Sequence, residues 1–257
     1  MKIMIFLIIS MLLISCSQSG NEINNELYND TSSYNNEDDV DPLSLSNDYS
    51  FQEGYINTND NSNLYYRLYH KKNNEGLIVL SHKEDSSLEE WDILMDIFLE
   101  LNYNIVSYDL RGFGKSQASS YSTIAKMKDD LKLIVNFAQN SNESKFKNIV
   151  FIGDGLGANI SLYSSVNYCQ VNSSFIMISP KMFSDEMSVD EFNKYCDNSK
   201  YLFLYSKKDF KDLNEQLYIY NYDNLKTMID STSDYTGIDI LLNNSTFIKE
   251  IKNIINF

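Results

Sequence analysis

Short apolar runs alternate with longer amphipathic ones along most of the chain. Leu77-Ile-Val-Leu80, Asn104-Ile-Val-Ser-Tyr108, Asn148-Ile-Val-Phe-Ile152, Phe175-Ile-Met-Ile178 and Tyr201-Leu-Phe-Leu-Tyr205 are apolar segments of strand length. Between them, Ser87 to Leu101, Thr123 to Gln139, Gly157 to Tyr168, Val189 to Cys196 and Lys211 to Tyr222 have helical length and period. A strand that is apolar on both faces must be covered on both, so this alternation predicts an α/β fold with a mostly parallel sheet and helices on each face. Leu225 to Ile229 adds a last strand. Thr246 to Ile255 reads as a closing helix with Ile248, Ile251 and Ile255 on one face. Ser50 to Ile56 and Leu64 to His70 predict an antiparallel edge hairpin. Its turn, Asn57-Thr-Asn-Asp-Asn61, lacks the glycine and the closing glutamate of a calcium loop.

The first residues follow a different rule. Lys2 gives a positive start, and the apolar run Ile3 to Ile14 is too short for the roughly 20 residues a bilayer span needs but suits a signal sequence. The run ends Leu13-Ile14-Ser15-Cys16, which resembles the bacterial lipobox; the resemblance implies cleavage before Cys16 and lipid on its sulfur. Acylation there holds a protein on a membrane surface without spanning it, which places this one in the bacterial cell envelope. Three parts are therefore expected: a signal peptide over 1–15, an acidic tether over 16–50 and a folded body over 51–257. The tether is rich in Asn, Ser, Asp and Glu and has no Lys or Arg.

Composition removes several function classes. The 257 residues carry 21 Lys and Arg against 36 Asp and Glu, a net charge of −15, which opposes nucleic-acid binding. Much of the excess lies in the tether, so the body is only mildly acidic. Two histidines, His70 and His82, and three cysteines, Cys16, Cys169 and Cys196, are too few and too scattered for a zinc site, so no metal and no cofactor are expected. Cys169 and Cys196 either bridge or remain two thiols.

Glycine placement is the sharpest local signal. Of nine glycines, five fall in Tyr108-Asp-Leu-Arg-Gly-Phe-Gly-Lys-Ser116 and Ile152-Gly-Asp-Gly-Leu-Gly-Ala-Asn159, each directly after a predicted strand. Strand, Gly-x-x-x-Gly, helix is the setting of a nucleophile elbow, in which one turn residue is forced to positive φ and small neighbours avoid clashes. The spacing does not make a dinucleotide fingerprint.

On these residues the chain resembles the α/β-hydrolases, over roughly Tyr55 to Phe257. Tyr108 to Ser116 is similar to that family's loop after its fourth strand, and Gly153 to Asn159 to the elbow of its esterase-like bacterial members. The resemblance implies that His82 and Lys83 stand at the start of the oxyanion loop, that Asp209 stands where the triad acid sits, and that Asp234 to Leu242 is the segment of the triad histidine. Asp209 either keeps that place or caps the helix after it. Asp109 and Arg111 read as loop-fixing residues, and Trp91 as packing.

The resemblance stops at the reacting atoms. The elbow apex is Gly155, which has no side chain; the histidine position is Thr236; no histidine follows His82. Without Oγ no acyl-enzyme forms, and without imidazole the general base is missing. The catalytic positions Gly155, Asp209 and Thr236 are thus vestigial. The expected function is binding of a small molecule or protein in the old cleft, lined by His82, Phe113, Asp154, Gly155, Leu156 and Thr236. Two other readings stay open: an envelope ester or peptide hydrolase with an unusual nucleophile, Asp154 being one candidate, and a structural surface lipoprotein. Lys181 to Asn198 is the expected lid.

Overall fold

The computed structural model describes residues 49–119, 121–142, 145–180, 196, 198–209, 225–231 and 234–255. The signal sequence, Cys16, the tether to residue 48, the helix expected over Lys211–Tyr222 and most of Lys181–Asn198 lie outside the described residues.

Eight strands make one sheet: β1 (Tyr49–Asn57), β2 (Asn63–Lys71), β3 (Gly76–Ser81), β4 (Asn104–Tyr108), β5 (Asn148–Asp154), β6 (Asn172–Ile178), β7 (Lys200–Ser206) and β8 (Leu225–Asp230). Their order is β1-β2-β4-β3-β5-β6-β7-β8. β1 and β2 form the antiparallel hairpin read from the sequence, β2 runs antiparallel to β4, and every later pair is parallel. The chain reverses direction at the Thr58–Ser62 turn, closed by the Thr58 N–H to Ser62 carbonyl bond at 2.9 Å.

Pleating sends alternate side chains to opposite faces, and the core divides accordingly. Leu77 and Val79 of β3, with Ile149 and Phe151 of β5, pack under α2 (Ile124–Asn140) and α3 (Gly155–Ser164). Ile78, Leu80, Val150 and Ile152 face the other way, against α1 (Met95–Leu99), α4 (Asp239–Asn243) and α5 (Ser245–Ile255). Thr123 starts α2, its hydroxyl accepting the Lys126 N–H.

Two of the differences from the sequence reading have a physical reason. The helix expected from Ser87 begins as a 3₁₀ segment, Leu88–Leu94, in which three residues per turn stack Leu88, Trp91 and Leu94 on one buried face. The helix expected from Gly157 begins two residues earlier, at Gly155, because the elbow turn itself opens it. A disulfide joins Cys169 to Cys196 with Cα atoms 5.1 Å apart, tying the chain before β6 to the chain before β7.

Candidate functional site

In an open parallel sheet the loops beyond the carboxyl ends of the strands form the natural site. Here those loops follow Ser81, Asp154, Ile178 and Ser206. Gly155 stands at the turn after Asp154, which opens directly into α3, with φ +50°, a conformation that residues bearing a Cβ adopt only under strain. A Cβ at 155 would lie 2.9 Å from Glu84 Oε2 and 3.0 Å from Lys83 Cβ. The space a nucleophile would fill is therefore occupied by the loop after β3.

That loop also takes the backbone donors. An oxyanion hole on this fold uses the N–H after the nucleophile and one from the loop after the third strand. The Leu156 N–H instead donates to Glu84 Oε2 at 3.1 Å, and the Lys83 N–H donates to Glu90 Oε1 at 3.1 Å. The loop is clamped to the elbow by the Gly157 N–H bond to the His82 carbonyl, 3.1 Å. Residue 157 must be glycine for this approach, since a Cβ would collide with Ser81 O.

His82 belongs to the interior and not to a cleft. Its ring is fully buried; Nε2 accepts the Leu110 N–H at 2.8 Å, so the proton lies on Nδ1, 2.6 Å from the Lys83 carbonyl. Burial holds its pKa below the usual value, and the neutral ring has no free nitrogen. The expectation that His82 lines the cleft is corrected on this ground. Phe113 packs edge-on to the same ring, with centroids 6.0 Å apart.

The helix expected after Asp209 lies outside the described residues. The Asp209 N–H donates to Ser206 Oγ at 3.1 Å. The Asp209 carboxylate receives the Ser179 hydroxyl at 2.6 Å, and the same Oγ accepts the Gly237 N–H at 2.8 Å. Ser179, with φ +45°, thus joins Asp209 to Gly237. Thr236, half-buried, adjoins this joint.

Asp154 makes the second connection. Its Oδ2 accepts the Ile238 N–H at 2.9 Å, which commits one oxygen of a side chain only 1% exposed. Burial first, then repulsion from Glu90, push its carboxyl up to about 7. Gly155, Asp209 and Thr236 are consequently brought to one edge of the sheet by Asp154 and Ser179. Neither Ser179, Glu84 nor Glu90 was singled out from the sequence; only the position of Glu84, just after the oxyanion-loop pair, offered a signal.

Asp109 and Arg111 have the loop-fixing geometry read from the sequence. Asp109 accepts the Leu88 and Lys115 N–H groups, each at 2.6 Å, and Arg111 forks onto Asp130 at 2.8 and 2.6 Å. Among the described residues no group of three or more His, Cys, Asp or Glu is arranged to hold a metal ion.

Residues 72–221, more than half the chain, match the family model described as serine aminopeptidase, S33. The chain belongs to this family. An esterase from Pyrococcus furiosus superposes with a TM-score of 0.64 at 17% identity, covering 85% of this chain and 96% of its own. A predicted CIB-like hydrolase from Thermoplasma acidophilum gives 0.61 at 18% identity over 81% of this chain and all of its own. A lipase-esterase related protein from Clostridium acetobutylicum gives 0.55 at 17%, over 74% and 99%. At these identities the likeness establishes the fold, that of an α/β-hydrolase. No curated protein matches the chain by sequence.

Proposed function

We propose that this chain is a lipid-anchored member of the S33 family that does not hydrolyse, and that it works by binding a small molecule or protein at the former catalytic edge. The observation that carries the reading is the state of the elbow: a glycine apex whose side-chain space is taken by Lys83 and Glu84, with the Leu156 N–H already committed to a carboxylate. Ester cleavage on this fold needs an attacking oxygen, a base and an empty oxyanion site. Gly155 supplies no oxygen, Thr236 no base, and Glu84 fills the third.

The Cys169–Cys196 disulfide supports a location outside the reducing cytoplasm. It also leaves Cys16 as the one remaining cysteine, free for acylation. Among the described residues no helix is long and apolar enough to cross a membrane.

Hydrolysis through another nucleophile has one observation in its favour, the 2.6 Å bond from the Ser179 hydroxyl to Asp209. The same oxygen is committed to Gly237, which suits a brace in place of the histidine better than an attacking group. Asp154 is a poorer candidate, with one oxygen on Ile238 and the side chain buried. A fluorophosphonate probe applied to purified residues 17–257, followed by peptide mapping, tests Ser179, and ester turnover in Asp154→Asn against the parent tests Asp154. The expected result is no adduct and no ester turnover above buffer. An adduct on Ser179, with turnover lost in Ser179→Ala, overturns the proposal.

A further inference from the structure

The Thr236–Ile238 segment lies against the elbow and is fastened at two points of different chemistry. One is the Ser179 hydroxyl, held between the Gly237 N–H and Asp209. The other is Asp154, whose Oδ2 receives the Ile238 N–H while Gly237 presses against the same carboxyl group. The second oxygen, Oδ1, has no hydrogen-bond partner and no exposure to solvent. A neutral carboxyl leaves only an unpaired polar atom there and avoids burying a charge. A carboxylate there is a buried charge with one bare oxygen, which is costly unless water or a cation reaches it.

The charged neighbours do not offset that cost. Glu90, on the 3₁₀ segment, repels Asp154, and burial raises its own pKa; Asp209, beyond β7, repels Asp154 as well. Glu84, on the loop after β3, spends its carboxylate on the elbow N–H. Lys83, on the same loop, is the one attractive charge among them. The segment itself is flanked by the exposed Asp234 and Asp239. The Ile238 N–H, like Lys83, favours the carboxylate, but burial outweighs both, so ionisation of Asp154 is relieved by lifting Gly237 and Ile238 until water reaches it.

We infer that the Thr236–Ile238 segment is a pH-sensitive latch over the elbow, closed on the protonated Asp154 carboxyl and loosened as that group ionises. This deepens the binding role proposed above and rests on it, since a latch on the cleft regulates access to a ligand. Closed, the segment covers Asp154; loosened, it uncovers Asp154 and the elbow at neutral pH. The sign follows from linkage. The open form releases its proton near the ordinary carboxylate range and the closed form near 7, so opening gains with each pH unit between these limits and then levels off.

Amide hydrogen exchange of the Ile238 N–H, corrected for the intrinsic exchange rate, reads the latch without ligand or turnover. Protection is expected to fall about tenfold per pH unit between roughly pH 5 and 7 and to stay level above that. Asp154→Asn keeps an acceptor for the Ile238 N–H but cannot ionise, and its protection should not change with pH. Glu90→Gln removes one repelling charge and should end the fall at lower pH. A wild-type profile that is flat overturns the inference whether or not the variants fold. So does a slope that persists in Asp154→Asn, or one that disappears only in Glu90→Gln, which would assign the titration to Glu90. A fluorophosphonate adduct would overturn the proposed function without altering this profile, so the two failures are distinguishable.

Discussion

Gly155→Ser restores the hydroxyl that the elbow lacks, and it should make the protein less stable without making it an esterase. Two costs add. A residue with a Cβ at φ +50° loses about 1–2 kcal/mol relative to glycine. Its side chain also meets Glu84 Oε2 at 2.9 Å, so the carboxylate must leave the Leu156 N–H. Glu84 is half-buried and can turn to water, which limits that second loss to about 1 kcal/mol. The sum, about 2–3 kcal/mol, should lower the melting temperature of a body of about 200 residues by roughly 4–12 °C. Thermal unfolding followed by circular dichroism measures this, with Gly155→Ala as a partner that carries the same backbone cost and no hydroxyl. Ester hydrolysis should stay at the buffer rate, because Thr236 is no base. If Gly155→Ser melts at or above the parent temperature, residue 155 is not at a strained apex and the reading of the elbow is wrong.

Gly157→Ala should be far worse than Gly155→Ala, because its Cβ meets the Ser81 backbone carbonyl of a central strand and not the end of a flexible side chain; a loss beyond about 3 kcal/mol is expected, seen as failure to accumulate folded protein. Replacing Cys169 and Cys196 by serine reopens a loop of 27 residues' separation and should cost about 3.5 kcal/mol, read as a lower urea midpoint that matches the wild type under reductant. Cys16→Ser should abolish incorporation of radiolabelled fatty acid and leave the folded body's melting temperature unchanged; persistent labelling would remove the lipid anchor.

The sequence by itself determined the layered architecture, because a strand buried on both faces must be apolar throughout and a covering helix on one face only. Both patterns are local and survive in Leu77–Leu80, Asn148–Ile152 and Ile124–Asn140 without any knowledge of contacts. That residue 155 has no side chain and that no histidine follows His82 are equally facts of the sequence. Tertiary structure decided what surrounds Gly155, Asp209 and Thr236. Glu84 reaches the Leu156 N–H across 72 residues, Ser179 the Gly237 N–H across 58, and Asp154 the Ile238 N–H across 84. Those partners are set by the order in which the strands assemble, β3 beside β5 and β6 beside β7, and strand order leaves no periodicity in the chain. The turn of His82 into the core has the same origin. Its partner, the Leu110 N–H, is carried there by β4 lying against β3, so the ring that the sequence placed at the cleft closes a loop beneath it.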